Sequence, residues 1–360
     1  MKNLLTYIIA PIFTTLIVLF ITPIIRKFAV KYNLVDKPNS RKVHKESIPL
    51  VGGIAIFLGA LFTCLVFKLE IFQNKEILIL LFGSILLLLT GIVDDYSDIR
   101  ASYKLLIQIA LAYFVSANGI RLESFFGIFG INAIPVIFQY ILTILIITGT
   151  INAINLTDGI DGLAGGIAIL GLSAYAILAY VLGKTELMFV FLLLIGALIG
   201  FLRYNLSSKS KIFMGDSGSL FLGFILVVSG IILIKSSVNS YLFKPTFTTI
   251  VGLFILPVFD SIRVYISRLK KGLSPFTPDK THFHHLILNM GIKHGKATII
   301  ILVITIFLFS ISILLGYQLS LTLSIVSVLL LFHVISKFLS IHNDVFIWRK
   351  KLNNLEKNHD

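Results

Sequence analysis

The sequence predicts an all-α polytopic membrane protein of about eleven transmembrane helices, its N-terminus outside and its C-terminus cytoplasmic, and three observations carry that prediction. The 360-residue chain is 57% hydrophobic and 13% charged, whereas soluble domains carry roughly 25% charge. Its apolar residues fall into eleven runs, at 4–25, 48–67, 77–93, 103–118, 135–151, 163–182, 187–203, 217–234, 246–262, 298–316 and 319–337. Each is near the ~20 residues a helix needs to cross ~30 Å of hydrocarbon. The third observation is charge asymmetry. If loop 26–47 is cytoplasmic, then 94–104, 152–162, 203–216, 263–297 and the C-terminal stretch join it. That side gathers 24 of the 31 Lys and Arg and leaves 7 opposite, as the positive-inside rule requires.

The same map puts all eleven Asp on the cytoplasmic side, while the four acids opposite, Glu70, Glu76, Glu123 and Glu186, are all Glu. Short carboxylates gathered at one set of membrane ends point to a site. The net charge of +14 suits anionic lipid and anionic substrates equally. Cys64 is the single cysteine, which excludes a disulfide framework and a thiolate metal centre. The first run has only Lys2 ahead of it and no small-residue cleavage site, and reads as a retained span. The expected organisation is one transmembrane catalytic domain over residues 1–340 and a short cytoplasmic tail over 341–360. The 263–297 loop is long enough to be partly structured.

Taken in order, the first cytoplasmic loop carries Lys37, Arg41, Lys42 and His44 ahead of Gly52-Gly53. Lys42 and His44 stand closest to the membrane edge and are placed to meet a phosphate. Run three ends in Asp94-Asp95-Tyr-Ser-Asp98. If the helix continues, Asp94 and Asp98 share a face, and their repulsion calls for a cation or a shared proton. Run four opens with Lys104 and Gln108 one turn apart.

Asn152, Asn155, Asp158 and Asp161 recur every third residue, with Gly159 and Gly162 interrupting any helix. Steps of three drift about 60° on a 3.6-residue helix, so one straight helix cannot align them. The two Asn are expected at the end of span five and the two Asp on the turn into span six. Gly215-Asp216-Ser-Gly-Ser219 opens run eight, where a helix N-terminus favours phosphate. After Asp260, Arg263 and Arg268, the chain reads Ser274-Pro-Phe-Thr-Pro-Asp-Lys-Thr-His282-Phe-His284-His285. Three His without zinc-type spacing, beside hard oxygen ligands elsewhere, favour Mg²⁺ over a transition metal. The His are then better used as phosphate donors or acid/base groups.

Together these motifs closely resemble the bacterial polyprenyl-phosphate N-acetylhexosamine-1-phosphate transferases. The matching elements are DD-x-x-D at 94–98, N-x-x-N-x-x-D-G-x-D-G-L at 152–163, G-D-S-G-S at 215–219 and S-P-F-x-P-D-K-x-H-x-H-H at 274–285. The related phospho-muramoyl-pentapeptide transferases usually show ten spans and a longer His-rich signature.

The resemblance implies that undecaprenyl phosphate attacks the sugar-bearing phosphate of a UDP-N-acetylhexosamine, most simply UDP-GlcNAc. It implies Mg²⁺, with Mn²⁺ as a substitute, on Asp216 and Asn155. Asp94, Asp95, His282, His284 and His285 take catalytic roles. Asn152, Asp158, Asp161, Arg263 and Arg268 are expected at the nucleotide or sugar, and Lys42, His44 and Lys104 at lipid phosphate or diphosphate. It implies the bacterial cytoplasmic membrane with the site facing the cytoplasm, membrane lipid but no nucleic acid as partner, and leaves room for a homodimer. Competing readings are a muramoyl-pentapeptide substrate, an intramembrane prenyltransferase, which needs two Asp-rich motifs and no His cluster, and an ion-coupled transporter. The transporter reading calls for mid-span polar residues and an internal repeat, whereas the polar groups gather at one face.

Overall fold

The structure, a computed structural model, describes residues 2–36, 47–274 and 281–356. Lys37, Arg41, Lys42 and His44 therefore lie outside the described residues. The chain forms two compact units, Met1–Thr246 and Phe247–Asp360.

The first unit contains α1 (Lys2–Lys31), α2 (Gly52–Phe67), α3 (Lys75–Ser97), α4 (Ala101–Ala117), α5 (Val136–Thr157), α6 (Leu163–Val181), α7 (Thr185–Asn205) and α8 (Gly215–Ser237). The second holds most of α9 (Phe243–Lys270), then α10 (Phe283–Asn289), α11 (His294–Gln318) and α12 (Leu321–Glu356). All eleven apolar runs fall on helices. Among the described residues, nine helices are long and apolar enough to cross a membrane, while α2 and α4 are shorter apolar helices of 16 and 17 residues. The 263–297 loop contains α10, and the stretch from 341 continues α12 as helix.

Run 48–67 is helical only from Gly52. Ile48 precedes a proline, which disfavours the helical region, and β2 (Ile48–Pro49) pairs antiparallel with β1 (Val35–Asp36). The same segment is stitched to the approach to α8: Phe213 N–H donates to Pro49 O (2.9 Å), and Gly52 and Gly53 N–H donate to Phe213 and Met214 O (2.9 and 3.0 Å). A second antiparallel pair, β3 (Ser124–Ile128) with β4 (Ile131–Ala133), lies between α4 and α5.

The core of the first unit is α8. Its membrane-length window is entirely buried, and it packs against α2, α3, α5 and α6, with α1 and α7 behind α2. Two glycines allow α8's first turn to approach so closely. A Cβ on Gly53 would run into the backbone of Ser217 and Gly218, and one on Gly91 into that of Asp216 and Ser217.

Candidate active site

The sequence delivers its carboxylates to the first turn of α8 from three directions. α3 ends at Ser97, with Asp98 in the left-handed region at φ 52°. This corrects the shared-face arrangement of Asp94 and Asp98 that a continuing helix predicts: Asp98 turns away and is exposed. Asp94 holds the turn, its Oδ1 accepting from Ile99 N–H at 2.8 Å. Its Oδ2 takes the Lys104 ammonium at 2.6 Å, and the same ammonium lies 3.0 Å from Asp216 Oδ2. One cation thus joins two carboxylates that approach from α3 and α8, which offsets their repulsion.

Asp95 has a different task. Its Oδ1 and Oδ2 accept from the backbone N–H groups of Asp216 (2.9 Å) and Ser217 (3.1 Å). No side chain on Met214, the residue preceding α8, caps that helix, and the carboxylate of Asp95 supplies the missing acceptors from another helix, where a negative charge is favoured.

Asn155 sits on the last turn of α5 with its Nδ2 3.4 Å from Asp216 Oδ2. Ser219 donates its hydroxyl to Asn155 Oδ1 at 2.9 Å and lies 3.1 Å from Gly215 O. Rotating the amide by half a turn gives Nδ2 to the Ser219 oxygen and turns Oδ1 toward Asp216, so Ser219 serves either orientation. Asn152 lies one turn earlier and donates to Gln108 Oε1 (2.5 Å) and Thr148 O (2.8 Å), which leaves Gln108, buried on α4, as the companion of Asn152.

Asp158 and Asp161 occupy the turn between α5 and α6, as the glycine spacing predicts. Burial holds the Asp158 carboxyl well above the usual carboxylate range. Asp216, Asp95 and Asp161 push it the same way, and Gly215 N–H opposes them. Asp161 is ion-paired to Lys211 at 2.5 Å. The turn is pinned by Asn205, whose Oδ1 accepts from Gly162 N–H (2.7 Å) and whose Nδ2 donates to Ile212 O (3.0 Å). Lys211, Asn205 and Ser219 are site residues that the sequence reading did not single out. Ser219 stands inside the G-D-S-G-S motif; Lys211 and Asn205 carry no comparable signal.

The second unit assembles the Arg and His residues. Asp260 on α9 is the organiser, again unassigned from sequence. Its Oδ1 takes Arg263 at 2.6 and 3.2 Å, and its Oδ2 takes His282 Nδ1 at 2.9 Å and Phe283 N–H at 3.2 Å. A carboxylate only accepts, so Nδ1 carries a proton, and Nε2 is buried without a hydrogen-bond partner among the described residues. Arg263 also donates to Thr281 O at 2.5 Å. His282 and His284 stack in parallel at 5.9 Å, and His285 lies 4.2 Å from His284. Burial pushes His284 down to about 3, with His285 and His282 adding to it, so it is neutral at physiological pH. Arg268 is buried, its guanidinium over the Tyr265 ring at 5.7 Å.

Among the described residues no three His, Cys, Asp or Glu side chains gather as a cage for a metal ion. Mg²⁺ does not need one: it keeps waters and uses one or two carboxylates plus substrate phosphates. Asp216 and, with its amide turned, Asn155 offer hard oxygens at the start of α8, which fits a divalent cation of that kind.

The chain matches the glycosyl transferase family 4 profile over residues 77–234, the stretch from α3 to α8 that builds the carboxylate cluster. It is 34% identical over 351 residues to a probable undecaprenyl-phosphate N-acetylglucosaminyl 1-phosphate transferase of Bacillus subtilis, covering 96% of this chain and 95% of that protein. It is also 34% identical over 312 residues to the undecaprenyl-phosphate alpha-N-acetylglucosaminyl 1-phosphate transferase of Escherichia coli K12, covering 85% and 82%. The Yersinia pestis protein of that name is 34% identical over 83% of this chain and 81% of its own.

Proposed function

The chain belongs to glycosyl transferase family 4, and on that premise we propose that it transfers N-acetylglucosamine 1-phosphate from UDP-GlcNAc to undecaprenyl phosphate in the bacterial cytoplasmic membrane, at a site facing the cytoplasm. An oxygen of the lipid phosphate bonds to the sugar-bearing phosphorus of the donor. The bridging P–O bond to the uridine phosphate breaks, and UMP leaves with that electron pair. The observation that carries this reading is the meeting of Asp94, Asp216, Asn155 and Lys104 at the first turn of α8.

A phosphomonoester has its second pKa near 6, so the lipid phosphate is largely dianionic at neutral pH and needs little help from a base. The harder task is to bring two polyanions together, which charge neutralisation and in-line positioning accomplish. Lys104 brings a cation held between Asp94 and Asp216. Asp94 keeps that ammonium in place and is positioned to fix the lipid phosphate or take its residual proton. Asp216, with Asn155 turned to offer Oδ1, would hold Mg²⁺, or Mn²⁺ in its stead, which when bound supplies positive charge at the diphosphate oxygens. Asp158 and Asp161, steadied by Lys211 and Asn205, are placed for the nucleotide, and Asn152 is held to Gln108 beside that turn. In the second unit, Arg263, Arg268 and the neutral His284, with His282 and His285, present donors suited to diphosphate and sugar. Lys42 and His44 retain the phosphate-binding role that the resemblance implies.

The test is UMP release by purified protein with undecaprenyl phosphate and a panel of UDP-sugars. UDP-GlcNAc is expected to turn over, and turnover of UDP-MurNAc-pentapeptide alone would sink the assignment. Asp216→Asn is expected to lower Mg²⁺-dependent UMP release by about a hundredfold or more while leaving the melting temperature unchanged; release at the wild-type rate would contradict the metal assignment.

A further inference from the structure

The first unit has a second polar site, at the end of α3 and α8 remote from the aspartates. A cavity of about 460 Å³ opens between the start of α3, the end of α4, the start of α7 and the end of α8. Lys235, which lines it, is nineteen residues along α8 from Asp216, or about 28 Å at 1.5 Å per residue. That is close to the full thickness of a hydrocarbon core, so the two sites occupy opposite membrane interfaces.

The lining is cationic. Lys75, Lys184 and Lys235 face it, with Glu76 the single lining carboxylate and Asn74 and Asn118 as neutral polar groups. Only seven of the 31 basic residues fall on this side of the chain by loop pattern, and three of them line this one cavity. Ion pairing explains part of that concentration. Lys184 holds Glu76 at 3.0 Å, and Lys235 holds Glu123 at 2.9 Å and Gly119 O at 2.6 Å. Asn74 Oδ1 caps α3 by accepting from Glu76 N–H at 2.8 Å. Lys75 is exposed and has no ion-pair partner among the described residues.

The rest of the wall is apolar, from Ile79, Ile120 and Ile232. Leu78 and Phe82 on α3 and Phe114 on α4, each within a turn of a lining residue, are exposed apolar side chains. A ligand that combines a single negative charge with hydrocarbon fits a cationic recess continuous with such a flank.

We propose that this cavity binds the phosphate-bearing headgroup of an anionic phospholipid, with Lys75 and Lys235 as principal contacts and the acyl chains along Leu78, Phe82 and Phe114. The site is separate from the transfer chemistry, and its test reads lipid binding alone. Full-length protein in neutral detergent is titrated with short-chain phosphatidylglycerol, short-chain phosphatidylcholine or inorganic phosphate, and its melting temperature followed. Phosphatidylglycerol is expected to stabilise, with phosphatidylcholine and phosphate inert at the same concentrations. Lys75→Glu and the double variant Lys75→Gln, Lys235→Gln are expected to weaken the half-saturation by about fivefold for each lysine removed. Lys75 is exposed, so its single variant folds even if the double variant does not. Equal stabilisation by phosphatidylcholine, an unchanged response in Lys75→Glu, or full reproduction of the effect by inorganic phosphate overturns the proposal, the last outcome making the cavity a free-anion site.

Discussion

Asp94 and Asp95 are neighbours in sequence, yet their carboxylates have different partners: an ammonium for the first, two backbone N–H groups of α8 for the second. Asp95→Ala leaves both N–H groups without an acceptor, at a cost of about 1–3 kcal/mol for each buried donor. Its melting temperature is therefore expected to fall together with UMP release, and Asp95→Asn, which keeps one good acceptor, to recover part of both. Asp94→Asn should lose activity with little change in melting. Equal melting of the two Asp95 variants and wild type would show that the brace carries no stability. His284 gives a pH signature. Its folded pKa of about 3 lies below the ordinary value of 6.5, so the unfolded chain binds the proton first. Stability from this group is complete above about pH 6.5 and declines as pH falls toward 3. At pH 5 the loss is about 2 kcal/mol, and His284→Gln is expected to flatten the melting profile between pH 7 and 5. At Asp158 burial and the neighbouring carboxylates act against the charged form, so Asp158→Asn should melt at or above the wild-type temperature while UMP release falls.

At the scale of elements, α8 is the common partner of the acidic motifs, and its seat depends on two glycines. Gly53→Ala and Gly91→Ala each press a methyl group into the backbone of α8's first turn. Overpacking of this kind costs about 1–3 kcal/mol, and here the shift falls on the turn that carries Asp216. Both variants are expected to lower the melting temperature and the apparent Mg²⁺ affinity together; a loss of melting temperature with Mg²⁺ affinity intact would separate seat from site. The helices themselves were legible in the sequence, because runs of apolar residues near membrane length admit few other structures. The bend at 158–162 was legible too, from glycines placed where a straight helix would misalign its polar residues. The pairings were not. Asp95 meets Asp216 across 121 residues and Lys211 meets Asp161 across 50, and no local pattern encodes such contacts. The end of α3 at Ser97 was also hidden, since only the left-handed turn at Asp98 separates it from a longer helix.

For the whole molecule, the proposed orientation predicts which surfaces meet which aqueous phase. Cys64 is the only native thiol and is buried, so a new cysteine can be labelled against a quiet background. Tyr241, between α8 and α9, is 88% exposed, and Lys209, before α8, is exposed as well. Tyr241→Cys is expected to react with a membrane-impermeant maleimide on intact cells and Lys209→Cys only after permeabilisation; the reverse pattern would invert the molecule and move the aspartates to the other face. The dependence of the site on α8 also has a consequence in time. Asp95 is synthesised 121 residues before the N–H groups it braces, and at roughly 5–20 residues per second the ribosome needs about 6–24 s to cover that distance. For that interval the nascent chain holds its acidic helix ends at the membrane surface without their keystone, so every new copy passes through a period of ribosome-paced vulnerability that ends only when α8 arrives.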